Sequence, residues 1–418
     1  MLIGIDASRA NRPHKSGTEW YAYHLIRTLA TIDSVNTYLL YSDKPLSGGL
    51  MNLSSDFDTD DNQSPNYDQD GLQIITSPHN NFKAKIINWP FKFFWTLGGL
   101  SLEMLFHKPD VLFVPSHTLP LIQPRRSFVT IHDIGFKRQV KLYSPDNLGY
   151  RGGLLNFLVQ SFTGGRYQAT HLDYLDWSTK FALKHCHKII TISNFSKQEI
   201  IDVYDAKADQ IEVVHNGYDN RVYHPSQNSH SNQILANHGI SKPYLFYVGR
   251  LEKKKNTATL IHAFSLLKQQ HPELEHDLVL VGDASYGYDE IKYSISEFGL
   301  DQKVILTGWV DEADMPTIFQ NADCFVFPTN YEGFGIPLLQ AMASGTAITA
   351  SDIAPVREVV GDSALLFNPD QAQDIADKLF IILSDQHIRQ TLIQSGLRQA
   401  SNFSWTKCAQ ETLAILQS

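Results

Sequence analysis

Three cysteines in 418 residues leave no basis for a disulfide scaffold. Cys186, Cys324 and Cys408 stand far apart, with no even set to pair and no metal-ligand spacing, so they read as small buried hydrophobes in a reducing cytoplasm. Long apolar runs are also missing. No segment approaches the roughly 20 residues a bilayer span needs, and the opening Met1-Leu2-Ile3-Gly4-Ile5-Asp6 is too short and too early acidic for a signal peptide. The expectation is a soluble protein, or one peripheral at the inner face of a membrane. Basic charge is in deficit as well, with 35 Lys and Arg against 44 Asp and Glu and a net charge of −9, which excludes a general nucleic-acid binder. What the chain does have is 43% hydrophobic content, enough to bury the cores of two or three domains.

Short apolar runs alternate with helical patterns, and the scheme occurs twice. In the first half the runs are residues 2–6, 38–41, 72–76, 111–114, 128–131, 189–192 and 211–214, with a helical pattern over 19–32 among them. In the second half they are 244–248, 278–281, 304–306, 324–327, 347–349 and 364–367. Such alternation predicts α/β domains with parallel sheets covered on both faces and ligands at the carboxyl ends of the strands. Polar residues 226–233 read as a linker. The expected division is 1–225, 226–400 and a C-terminal helix over 401–418, packing back towards the N-terminal domain. Residues 54–70 read as an acidic surface loop, in which Asp58-Thr59-Asp60 is too embedded in low complexity to count as a metal pair.

The most informative stretch runs from Thr329 to Gly345, directly after the apolar run Cys324 to Phe327. Pro337 suits the first helical position and Gly345 the position just past the helix. Gly333 and Gly335 permit close backbone approach, and the helix start favours an anion. Glu332 would repel a phosphate, so it is better matched to the hydroxyls of a sugar. A second anion anchor follows the run 244–248, where Gly249 precedes Arg250, a bidentate donor, and Lys255, a point charge. Lys253 and Lys254 read as solvated. In the first half, His132 and Asp133 end a run and can bind sugar hydroxyls or take a proton. Gly17, before a helix, offers another close approach.

Several motifs in one order resemble a known family. Val248-Gly249-Arg250 with Lys255, Thr307-Gly308-Trp309-Val310, Glu332-Gly333-Phe334-Gly335-Ile336-Pro337 and Val356-Arg357-Glu358-Val359-Val360-Gly361-Asp362 are similar to the GT-B glycosyltransferases of family 4. Gly4-Ile5-Asp6, Ile131-His132-Asp133, Thr191-Ile192-Ser193-Asn194 and His215-Asn216-Gly217 resemble that family's first half. The resemblance implies two Rossmann-like domains and a retaining, metal-independent transfer of a hexose, mannose being one option, from a nucleotide-diphosphate sugar such as GDP-mannose or a UDP-sugar. The donor is a substrate, and no cofactor is expected. Carried over by position, Arg250 and Lys255 would hold the pyrophosphate, Glu332 a hydroxyl of the moving sugar, and the amides of Phe334, Gly335 and Ile336 would assist. Gly249, Gly333 and Val310 would line the donor site, with Gly17 near the phosphate. His132 would lie by donor sugar and acceptor, with Asp133 on the acceptor side. The family's second glutamate, eight residues after the first, is replaced here by Gln340, which predicts a neutral ribose contact weaker by on the order of 1 kcal/mol.

The acceptor, a glycan or a lipid-linked sugar, is less legible. Phe82, Trp89, Phe91, Phe93, Phe94 and Trp95, interleaved with Lys83, Lys85 and Lys92, suit either an amphipathic surface for anionic lipid or a helix packing its aromatics inward. Two other classes of function stay open at this stage: a GT-B sugar-nucleotide epimerase or hydrolase, and an inactive member that only binds nucleotide sugar.

Overall fold

The computed structural model describes residues 1–54, 64–90, 94–143, 153–226, 231–241 and 243–418. Asp58-Thr59-Asp60, Phe91, Lys92, Phe93 and residues 227–230 of the 226–233 stretch lie outside them. The chain divides into two compact units, one comprising Met1–Lys137, Pro145–Asn216 and Trp405–Ser418, the other Arg138–Ser144 and Gly217–Ser404.

The first unit holds β1 (Leu2–Asp6), β2 (Thr37–Ser42), β3 (Gln73–Ile74), β4 (Phe82–Ile86), β5 (Val111–Val114), β6 (Ser127–Ile131), β7 (Lys188–Thr191) and β8 (Ile211–Val213). They lie in the order β3-β4-β2-β1-β5-β6-β7-β8, all parallel except for β3 against β4. β5 and β6 are buried at every position, as strands covered on both faces must be. The run at 72–76 shortens to two residues because Gln73 turns inward and exchanges two hydrogen bonds with the Leu46 backbone, at 2.8 and 3.0 Å.

Residues 82–86 are a strand and not part of an amphipathic helix. Their aromatic and lysine alternation has period two: Phe82 and Ala84 are buried, with Phe82 stacked on Tyr38 at 4.2 Å, while Lys83 and Lys85 reach Asp68 and Glu103, both at 2.7 Å. Trp95 is buried, and the Trp89 ring lies over Gly98 and Gly99, so these aromatics serve packing. The helix Trp405–Gln417 belongs to the same unit. Trp405 stacks on His24 of the helix Gly17–Ile32 at 5.1 Å, and the Arg126 guanidinium donates to the carbonyls of Leu416 and Ser418, capping the helix end.

The second unit holds β9 (Tyr244–Val248), β10 (Asp277–Val281), β11 (Val304–Gly308), β12 (Cys324–Phe327), β13 (Ile348–Ser351) and β14 (Leu365–Phe367), all parallel in the order β11-β10-β9-β12-β13-β14. Alternation within β9 sends Leu245 and Tyr247 into a core with Leu260, Phe264 and Leu280, while Phe246 meets Phe319 at 4.9 Å and Phe325 at 5.6 Å. The strand order reverses at β9, which has β10 on one side and β12 on the other. The loops leaving β9 and β12 therefore diverge, and the crevice so formed is where open α/β sheets bind ligands.

Candidate functional site

The β9 loop is shaped by a backbone contact that leaves no room for side chains. Gly249 (φ 152°) donates to the Val281 carbonyl at 3.0 Å, and a Cβ on Gly282 (φ 134°) would fall 2.1 Å from the Gly249 oxygen. Arg250 follows, exposed, and no ion pair holds its guanidinium among the described residues. Lys253–Lys255 make one 3-10 turn, closed by Asn256 in the left-handed region (φ 58°), and the helix Thr257–Gln270 begins. Lys253 pairs with Glu290 at 3.1 Å. Lys254, which its sequence context reads as solvated, is not: its side chain is only 18% exposed and lies beside Glu252 at 3.7 Å. Its carbonyl accepts from the Asn330 N–H at 3.0 Å and the Thr329 hydroxyl at 3.3 Å, which ties the β9 loop to the β12 loop.

Across that tie, the Lys255 ammonium is ion-paired with the Glu332 carboxylate. Both side chains are more than four-fifths buried, at 16% and 17% exposure, so the interaction is less screened than a surface pair. Gly335 (φ 98°) turns the chain into the helix Ile336–Ala343, with Pro337 in its first turn and Gly345 (φ 75°) just beyond its end. The Phe334 side chain is buried and packs edge-on against Phe403 at 5.8 Å, so Phe334 can present only backbone to a ligand. First-turn N–H groups of this helix lack intrahelical acceptors and carry the positive end of its dipole. Gly333 is buried beside Glu332, and Ile336 opens the helix. Gln340 sits one turn further on. Its amide lies beside the Tyr223 hydroxyl, which donates to Glu312 at 2.5 Å. Val310, after Gly308 (φ 70°), is buried two residues before Glu312.

The first unit carries the other candidates. His132 follows β6, and its Nε2 lies 3.3 Å from the Pro115 carbonyl. A carbonyl only accepts, so Nε2 bears the hydrogen and Nδ1 keeps its lone pair. Burial holds the imidazole below its usual value, which favours this neutral form. Tyr21 meets the ring edge-on at 4.9 Å, and the Ser196 hydroxyl donates to the His132 carbonyl at 3.1 Å. Asp133 accepts from the Gly135 N–H at 2.9 Å, stabilising the turn into the helix Gly135–Arg138. Gly17 opens the helix Gly17–Ile32 behind a capping box of Ser16 and Glu19, and a Cβ there would meet nothing within 4 Å.

The structure thus joins Lys255 to Glu332 and gathers Gly249, Arg250, Val310 and Gly333 to Gly335 on carboxyl-end loops of one sheet, with Ile336 and Gln340 in the helix that follows β12. Gly17, His132 and Asp133 occupy the corresponding ends of the other. Sequence reasoning missed Gly282, Tyr223 and Glu312. A signal for Gly282 existed: β9, β10 and β11 each run into a glycine of positive φ, Gly249, Gly282 and Gly308. Nothing local marks Tyr223, which lies 89 residues from its partner.

Among the described residues no group of three or more His, Cys, Asp or Glu could hold a metal ion, and no helix is long and apolar enough to cross a membrane. Burial pushes the Cys186 and Cys324 thiols up to about 12, so they are packing groups and not nucleophiles.

Residues 231–399 match the family of glycosyl transferases group 1, and residues 16–222 match glycosyltransferase family 4. The chain is similar to the O-antigen chain mannosyltransferase B of Escherichia coli, 31% identical over 57% of this chain and 63% of that one. It is 27% identical to the mannosylfructose-phosphate synthase of Agrobacterium fabrum over 56% of this chain and 53% of the other. The matches therefore span between about half and two thirds of these two relatives. Among solved structures, a sucrose-phosphate synthase of Thermosynechococcus elongatus superposes with a TM-score of 0.71 at 17% identity, covering 100% of this chain and 98% of that chain. The Anabaena protein HepE, solved with UDP and glucose, gives 0.67 at 18% identity, covering 100% and 99%. At such identities these structures establish the fold, which is GT-B. With both halves of its length matched and its fold shared, the chain belongs to the group 1 glycosyltransferases of family 4.

Proposed function

We propose that this protein transfers a hexose from a nucleotide-diphosphate sugar to a glycan or lipid-linked sugar, with retention at the anomeric carbon. The observation that carries the reading is the buried Lys255 and Glu332 pair at the switch point of a parallel sheet, with the exposed Arg250 on the same β9 loop as Lys255 and a helix start just after Glu332. In the free protein the two charges satisfy one another. An arriving diphosphate competes for the Lys255 ammonium, and the Glu332 carboxylate is released to accept hydrogen bonds from the sugar. The pair thereby keeps both groups ordered and compensated until donor is present.

Arg250, Lys255 and the amides of Phe334, Gly335 and Ile336 then hold the diphosphate, and Gly249 and Gly333 let backbone approach it. Val310 and Gln340 contact the nucleoside. On the first unit, His132 offers its Nδ1 lone pair to a hydroxyl, Asp133 lies on the acceptor side, and Gly17 permits close approach near the phosphate. In the transfer, the acceptor oxygen bonds to the anomeric carbon on the face the diphosphate leaves. The carbon–oxygen bond to the diphosphate breaks, and a diphosphate oxygen takes the acceptor's proton. Stabilising the departing charge is the main catalytic contribution of Arg250 and Lys255. Names among the relatives favour mannose as the hexose.

The test is kinetic. Arg250→Ala and Lys255→Ala are expected to lower turnover by about 10²-fold or more while circular dichroism stays that of wild type. Steady-state constants near wild type for both variants would refute the assignment. A thermal-shift series over nucleotide sugars identifies the donor, since the preferred one raises the melting temperature by mass action.

A further inference from the structure

Glu312 has a setting that the roles above do not use. It lies four residues beyond the end of β11, and its carboxylate accepts one hydrogen bond, from Tyr223, a residue only 2% exposed. The Gln340 amide lies beside that same hydroxyl, so Tyr223 fixes the Glu312 carboxylate next to the residue that stands where the family's second glutamate would be. No cation pairs with Glu312 among the described residues. Asp219 lies near it instead, already held by Arg221 at 2.8 Å. Burial, reinforced by the Asp219 charge and opposed by the Tyr223 hydrogen bond, pushes the Glu312 carboxyl up to about 7.

A half-buried carboxylate with one donor and no counter-ion has about three acceptor sites to spare. Its ionised form gains from any ligand that brings O–H donors, and a vicinal diol brings two at the spacing of one carboxylate. We infer that Glu312 is the charged half of a ribose-diol site completed by Gln340, with Tyr223 as the positioning residue. This rests on the nucleotide-sugar reading. It also removes the penalty expected from Gln340, because the charge-assisted bond is supplied from the β11 loop in place of the helix.

The test is calorimetric binding of GDP and UDP, and of their 2′,3′-dideoxy forms, to wild type, Glu312→Gln and Tyr223→Phe. Glutamine keeps the shape and still accepts from Tyr223, so the fold is expected to hold, and melting curves check it. Glu312→Gln is expected to weaken the ribose nucleotide about tenfold, the difference between a charge-assisted and a neutral bond, and to leave the dideoxy form unchanged. Tyr223→Phe shows the same selectivity with a smaller loss. Gln340→Glu in the Glu312→Gln background restores ribose affinity. Equal weakening of both nucleotide forms, or of neither, would overturn the assignment while leaving the nucleotide-sugar reading intact. Wild type that binds no nucleoside diphosphate would remove both.

Discussion

Gly282→Ala tests whether the β9 loop is set by backbone contact. The added Cβ would sit 2.1 Å from the Gly249 oxygen and 2.8 Å from its carbonyl carbon, both backbone atoms that cannot rotate away. Relief needs the two chains to part by roughly 1 Å, counted to ordinary carbon–oxygen contact. It would stretch the hydrogen bonds from Gly249 to Val281 and from Gly282 to Gly308, now 3.0 and 2.9 Å. The φ of 134° adds strain for any L side chain. Together these are expected to cost about 3 kcal/mol, a fall in melting temperature of roughly 6–12 °C. Arg250, the next residue along the displaced loop, is carried out of place, and a shift of about 1 Å is expected to lower turnover by ~10²-fold. Scanning calorimetry and donor kinetics measure the two effects. A variant with wild-type melting temperature and turnover would refute the view that this glycine contact positions Arg250.

Gly17→Ala makes the opposite case: its Cβ meets nothing within 4 Å and its φ is not positive, so melting should be unchanged or slightly raised, while donor kinetics suffer if a phosphate approaches there. Glu312 gives a pH signature. Its folded carboxyl titrates at about 7 against an ordinary 4.5, so the folded state holds a proton that the unfolded chain loses, and stability falls as pH rises from 4.5 to 7. The loss is on the order of 3 kcal/mol. Tyr223 and Asp219 face the group, with Gln340 beside the Tyr223 hydroxyl and Asp314, two residues on, paired with His238; Glu312→Gln should flatten that slope in urea titrations across the window. Trp405→Ala removes a buried indole stacked on His24 and should cost about 3–5 kcal/mol by denaturant unfolding, whereas an unchanged midpoint would deny the terminal helix a structural role.

The sequence by itself determined the strands, because buried parallel strands are continuous apolar runs and that pattern is local: β1, β5, β9 and β12 begin and end where the runs do. It also placed Gly249, Arg250, Lys255 and the Glu332 turn at strand ends, and the order of motifs identified the family. It misjudged residues 82–86, where aromatic and basic residues suit either period until the Tyr38 partner is known. The tertiary structure alone decided which strand ends are neighbours. With β9 between β10 and β12, Lys255 meets Glu332 across 77 residues, Gly282 abuts Gly249, and Tyr223 reaches Glu312. Periodicity reports how a segment faces its core, but carries no information on which other segment lies beside it. The side-chain pairings that give this site its charge balance depend on that second fact.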